Sequence, residues 1–181
     1  MLTLDREVKG TILLTQEQIW NRAIELGKQI TEDFKGEEVI LIGTLKGAVM
    51  WMADMMKTID LDAKIDFIAA SSYGSSTVSS GKLVIKKDIE LDVEGKNVII
   101  VEDIIDTGNT LKNLQTYFRE KNAKCVKICT LLDKPSRRTA DVTGDYIGFE
   151  IDDLFVIGYG LDFDQKYRNL PYISYLDSYE A

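Results

Sequence analysis

Residues 97–111 read Asn97-Val98-Ile99-Ile100-Val101-Glu102-Asp103-Ile104-Ile105-Asp106-Thr107-Gly108-Asn109-Thr110-Leu111. Acids at 102, 103 and 106, followed by a small hydroxyl-bearing turn with a glycine, suit a site that holds a phosphate beside a hard cation. The turn Asp106-Thr107-Gly108-Asn109-Thr110 supplies backbone N–H groups at a helix start, and such a start is an anion cradle. Carboxylates cannot bind the phosphate that the cradle takes, so Glu102 and Asp103 need something to reconcile the like charges. Mg2+ would do this by sharing waters or sugar hydroxyls with the acids, and a ribose phosphate offers both kinds of group. Asp106, inside the turn, is placed to act as a general base. Taken singly, Asp106 or Thr107 reads as a plain helix N-cap, and Glu102 and Asp103 as a solvated strand end. The ordered set outweighs that reading.

A second candidate anion site is Gly43-Thr44-Leu45-Lys46-Gly47, a cation between small residues at a helix start. Residues 71–81 are small and serine-rich, and read either as flexible connection or as a lid that keeps water from a reactive centre. Lys134 precedes Pro135, which biases it to extended backbone and points its ammonium outward from the end of a strand.

The elements that must position these residues alternate. Ile12 to Leu14 is a short strand, and Thr15-Gln16-Glu17-Gln18 is a capping box that opens a helix. Its face is marked by Ile19, Ala23, Ile24, Gly27, Ile30 and Phe34, and it ends near Gly36. A buried strand over 39–42 leads through residues 43–47 into a helix whose stripe is Val49, Met52, Ala53 and Met56. Then come a strand over 61–70, a hairpin return over 82–86, and the strand delivering the acids. A helix striped by Leu111, Leu114 and Phe118 follows, then strands over 124–132, 146–149 and 154–157. This order predicts a parallel sheet with helices on both sides, with ligands at the carboxyl ends of the strands.

At 181 residues and 45% hydrophobic content, with two prolines, the chain is expected to form one compact domain. The first residues become charged too soon for a signal peptide, and no apolar run approaches a membrane span, so the cytoplasm is the expected compartment and no membrane partner is expected. Cys125 and Cys129 share one face of a strand and read as two buried free thiols; zinc would need more ligands, and the chain has no histidine. A net charge of −8 argues against a general nucleic-acid binder and makes any placed cation more meaningful.

The stretch Val101-Glu102-Asp103-Ile104-Ile105-Asp106-Thr107-Gly108-Asn109-Thr110 resembles the phosphoribosyl diphosphate (PRPP) signature of type I phosphoribosyltransferases. With Glu-Asp as its acid pair and Asp at the third acidic position it is similar to the hypoxanthine-guanine branch, whereas many relatives in other branches carry Asp-Asp. The resemblance extends over about residues 11–172. It implies the type I fold: a central, mostly parallel sheet flanked by helices on both faces, in a single domain over 1–181. The core would span about residues 36–145, with a small hood from about 1–15 and 146–181.

The resemblance also implies roles. A purine-salvage enzyme of this kind transfers the phosphoribosyl group of Mg-PRPP to N9 of hypoxanthine or guanine, giving IMP or GMP and pyrophosphate. Asp106 would act at purine N7, with the 5'-phosphate in the turn formed by Asp106, Thr107, Gly108, Asn109 and Thr110. Glu102 and Asp103 would lie by the ribose hydroxyls and Mg2+, and Asp162 would help hold a second Mg2+. Leu45, Lys46 and Gly47, often joined in the family by a non-proline cis peptide, would bind pyrophosphate with Arg168. Ser72 and Tyr73 would start the lid. Lys134 would donate to purine O6, Phe155 would stack on the base and the Val156 backbone would read its edge. Similar enzymes assemble as homodimers or homotetramers. The alternatives are an enzyme of the same fold with a different acceptor base, and a regulator that binds PRPP or nucleotides to control RNA or DNA.

Overall fold

The structure, a computed structural model, describes residues 10–72 and 83–176. Its elements run β1 Thr11–Leu14, α1 Gln16–Asp33, β2 Val39–Thr44, α2 Val49–Thr58, β3 Ala63–Ser72, β4 Leu83–Lys87, β5 Asn97–Ile105, α3 Asn109–Glu120, β6 Cys125–Asp133, β7 Tyr146–Glu150, β8 Val156–Ile157 and β9 Ile173–Tyr175, with a 3-10 turn at Pro135–Arg137. The main sheet has the order β4-β3-β2-β5-β6-β7 and is parallel except for the edge pair of β3 and β4. A second sheet, β1-β9-β8, joins the first strand to segments near the other end of the chain.

Strand alternation divides the core into two layers. Val39, Leu41, Ile99 and Val101 face α1 and α2, while Ile40, Ile42, Val98 and Ile100 face α3. The α3 stripe of Leu111, Leu114 and Phe118 is fully buried, and truncating such a side chain costs about 2 to 5 kcal/mol. The capping box at Thr15 forms as expected: Gln18 N donates to Thr15 Oγ1 at 3.2 Å and Thr15 N to Gln18 Oε1 at 2.9 Å. In α1, Leu26 takes the buried place expected of Ile24, which is half-buried.

Four expectations shift. The buried face of α2 is Trp51, Met52 and Met55, and Val49, Ala53 and Met56 point to solvent. The strand over 97–105 runs past Glu102 and Asp103 instead of ending at them, and Gly43 belongs to β2. Both thiols are free, with Cys129 buried as expected and Cys125 half-buried. Among the described residues no helix is long and apolar enough to cross a membrane. Tyr73 and most of the expected lid lie outside the described residues, as does the side chain of Ser72, whose backbone pairs with Leu83.

Candidate active site

Parallel strands put β2, β5 and β6 carboxyl ends on one edge, and the candidate residues collect there. Thr44, the last residue of β2, donates from Oγ1 to Glu102 Oε1 at 2.6 Å. The Asp103 amide donates to the same oxygen at 3.2 Å, and Ile104 N donates to Asp103 Oδ1 at 2.9 Å. Enclosure by protein atoms, then the neighbouring Asp103 carboxylate, pushes the Glu102 carboxyl well up; the Thr44 hydrogen bond opposes this.

Beyond β5 the chain turns into α3. A cavity of about 230 Å3 is lined there by Thr44, Leu45, Glu102, Asp106, Thr107, Gly108 and Thr110. The residue before the helix is Gly108 at φ +82°, which has no side chain to cap it; Thr107 Oγ1 accepts from Asn109 N at 3.5 Å, as the plain N-cap alternative allows, while the Asp106 carboxylate accepts from Arg137 Nε at 3.0 Å. A Cβ on Gly108 would come within 2.5 Å of Val142 Cγ1. The turn is gripped from the segment after β6: Thr139 N and Ala140 N donate to Thr107 O at 3.1 and 3.0 Å, and Arg138 Nε donates to Asp106 O at 3.2 Å. Arg138 itself is fixed by Val142 O and by a buried ion pair with Asp133. With its carbonyls so held, the turn sets the first-turn amides of α3 at the end of this cavity.

A second cavity, of about 430 Å3, adjoins the first and is lined by Asp106, Lys134, Arg137, Asp153, Leu154 and Phe155. Asp106 lines both. Lys134 does not point outward from the sheet: it is buried, and its Nζ donates to Leu154 O at 2.6 Å and Asp153 Oδ1 at 3.4 Å. Pro135 constrained its backbone, but the side chain follows an acceptor twenty residues downstream. Phe155 is half-buried, edge-on to Phe163 with ring centroids 5.7 Å apart, and Val156 is buried in β8.

The loop at 45–47 completes the edge. The Leu45-Lys46 peptide is cis. Lys46 is exposed and donates to Gln165 Oε1 at 3.1 Å, while Gly47 lies between Asp103 and the backbone of Gly160. Asp162 and Arg168 form an ion pair at 2.6 Å, and Arg168 also donates to Gly160 O at 2.7 Å, so this pair holds the glycine segment that covers Gly47. Among the described residues no three acidic or thiol groups gather into a metal cage, and Asp162 stands with Arg168. Glu102 and Asp103 are nonetheless adjacent hard-oxygen donors, a set that fits Mg2+ when substrate oxygens and waters complete its shell.

Sequence reasoning missed Arg137 and Asp153, and it placed Thr44 in the anion loop without its bond to Glu102. The one visible signal was the pair Arg137-Arg138 close after Lys134 on an acidic chain; the others join the site through partners far along the chain.

Comparison with known proteins agrees with this geometry. The family description "phosphoribosyl transferase domain" matches residues 10–164. A hypoxanthine-guanine phosphoribosyltransferase of Bacillus subtilis is 50% identical over 165 residues, covering 91% of this chain and 92% of its own. One from Streptococcus thermophilus is 47% identical over 173 residues, covering 96% of each chain. The crystal structure of a hypoxanthine phosphoribosyltransferase from Staphylococcus aureus, at 47% identity, aligns with a TM-score of 0.88 over 91% of this chain and 90% of that one. Strand order, the signature turn and these relatives together show that the chain belongs to the phosphoribosyltransferase family, in its hypoxanthine-guanine branch.

Proposed function

We propose that this enzyme transfers the 5-phosphoribosyl group of PRPP to N9 of hypoxanthine and guanine, releasing IMP or GMP and pyrophosphate. The observation that carries the reading is the position of Asp106, which lines both the cavity with the anion-binding turn and the cavity with Lys134 and Phe155. The 5'-phosphate takes the amides of residues 107–110, and the ribose hydroxyls lie by Glu102 and Asp103. The purine enters beside Phe155, with Lys134 turning from Leu154 O to the purine O6 and the Val156 backbone reading the ring edge. Leu45, Lys46, Gly47 and Arg168 face the pyrophosphate.

In the reaction the N9–C1' bond forms as the bond from C1' to pyrophosphate breaks, through an oxocarbenium-like transition state. Asp106 takes or holds the proton at N7, which raises the nucleophilicity of N9. Mg2+ bound by Glu102 and Asp103, with Asp162 at a second ion, would neutralise charge on the leaving group. Ser72 and Tyr73 begin the segment that would exclude water. The small sheet would serve as the hood, and the chain would work in the cytoplasm as a homodimer or homotetramer.

The test is a spectrophotometric assay with PRPP and Mg2+ against hypoxanthine, guanine, xanthine and adenine, with Asp106→Asn as control. Hypoxanthine and guanine should turn over, and the variant should lose about 100- to 10,000-fold. Turnover of xanthine or adenine alone would refute the assignment of Lys134 and Phe155.

A further inference from the structure

The cavity beside Phe155 holds a run of alternating charges that the roles above leave unused. Arg137 donates from Nε to Asp106 Oδ1 at 3.0 Å, and its Nη1 lies 3.6 Å from Asp153 Oδ2. Asp153 Oδ1 accepts from Lys134 Nζ at 3.4 Å. Acid, cation, acid and cation therefore connect the residue assigned to purine N7 with the residue assigned to purine O6.

Arg137 and Asp153 are each about half exposed, at 49% and 51%, and exposed pairs add little to folding stability. What they fix is direction. The main chain of the Asp106 turn is held by Arg138, Thr139 and Ala140, whereas the carboxylate of Asp106 is held by Arg137. A purine seated between Lys134 and Asp106 excludes water from the run, and its charge interactions strengthen as the surroundings become less polar. The charged groups around Asp106 are Arg137 on its carboxylate, Arg138 on its carbonyl, Lys134 and Asp153 across the same cavity and Glu102 on the wall of the adjoining one.

We propose that Arg137 is a positioning residue that sets the Asp106 carboxylate toward the base, with Asp153 joining it to Lys134 so that the two ends of the purine are read as one unit. The inference rests on the roles given to Asp106 and Lys134 under the proposed function.

The experiment measures kcat and KM, for hypoxanthine and for PRPP, with Arg137→Ala, Arg137→Lys, Asp153→Asn and the Arg137→Ala/Asp153→Asn double variant, alongside Asp106→Asn. Arg137→Ala should lower kcat by about tenfold or more, since the carboxylate loses its set orientation, while KM for PRPP stays unchanged. Arg137→Lys should restore only part of kcat, since an ammonium keeps the charge without the planar fork. The double variant should lose less than the product of its parents, as residues in one run do. An Arg137→Ala enzyme with unchanged kcat, or one whose loss is carried by KM for PRPP, overturns the inference. If Asp106→Asn collapses while Arg137→Ala does not, the inference alone fails; if Asp106→Asn keeps its activity, the reading of Asp106 fails and takes the inference with it.

Discussion

Gly160 packs its α-carbon on the carbonyl of Gly47 so closely that an added Cβ would stand 1.9 Å from the oxygen. Gly47 in turn leaves no room for a Cβ on its other side, where Asp103 Oδ2 would be 1.6 Å away. The two glycines thus set the distance between the candidate pyrophosphate loop, the acid pair and the segment that carries Phe155 and Asp162. Gly160 also stands at φ +100°, a conformation that L side chains rarely adopt.

Gly160→Ala and Gly47→Ala should therefore disturb positioning more than folding. A displacement of about 1 Å in groups that hold a reactant costs on the order of 100-fold, so kcat/KM for PRPP should fall by about that factor in each variant. Steady-state kinetics beside thermal melting checks this. A normal kcat/KM in both would show that the packing of Gly47 does not position the loop.

The fold was legible because its signals are local. The capping box at Thr15, the all-apolar run of β5 and the stripe Leu111, Leu114 and Phe118 each declare their element and its face. The phase of α2 was not, since Val49, Met50, Trp51, Met52, Met55 and Met56 are apolar on every side, and period alone cannot choose between two apolar faces. At the site, the turn and its acids could be read as one contiguous string. The partners of those residues could not: Thr44 reaches Glu102 across a strand pair, and Arg137 reaches Asp106 from 31 positions away.

Burial pushes the Cys129 thiol up to about 12, while Cys125 is half-buried. At mildly alkaline pH a thiol reagent should therefore titrate Cys125 in the folded enzyme and reach Cys129 only after unfolding. The same shift fixes a sign for stability. The unfolded chain releases this proton near the ordinary thiol value of about 8.5, so the contribution is complete below that pH and is lost as pH rises toward 12. Urea midpoints should fall from neutral to alkaline pH, and less steeply in Cys129→Ala. Equal native reactivity of the two thiols would contradict the burial that drives both effects.

Val49 and Met56 on α2 are each 42% exposed, and Met50 and Ala53 are exposed with them, which leaves an apolar strip on a helix whose other side is already packed. Covering the two-fifths of each large side chain that is still exposed would contribute about 0.6 to 1.2 kcal/mol, so the strip would form part of a larger contact between copies. The proposed homodimer or homotetramer is expected to use this strip. Val49→Asp with Met56→Asp places two carboxylates in it without touching Trp51, Met52 or Met55, so the secondary structure should persist while sedimentation falls to the mass of one chain. If the double variant sediments like the parent, assembly uses another surface; if the parent is itself a monomer, the strip is not a subunit contact. Because α2 begins two residues after Gly47, loss of assembly should also raise KM for PRPP more than KM for the purine, and measuring both separates a contact that supports the loop from one that only holds subunits together.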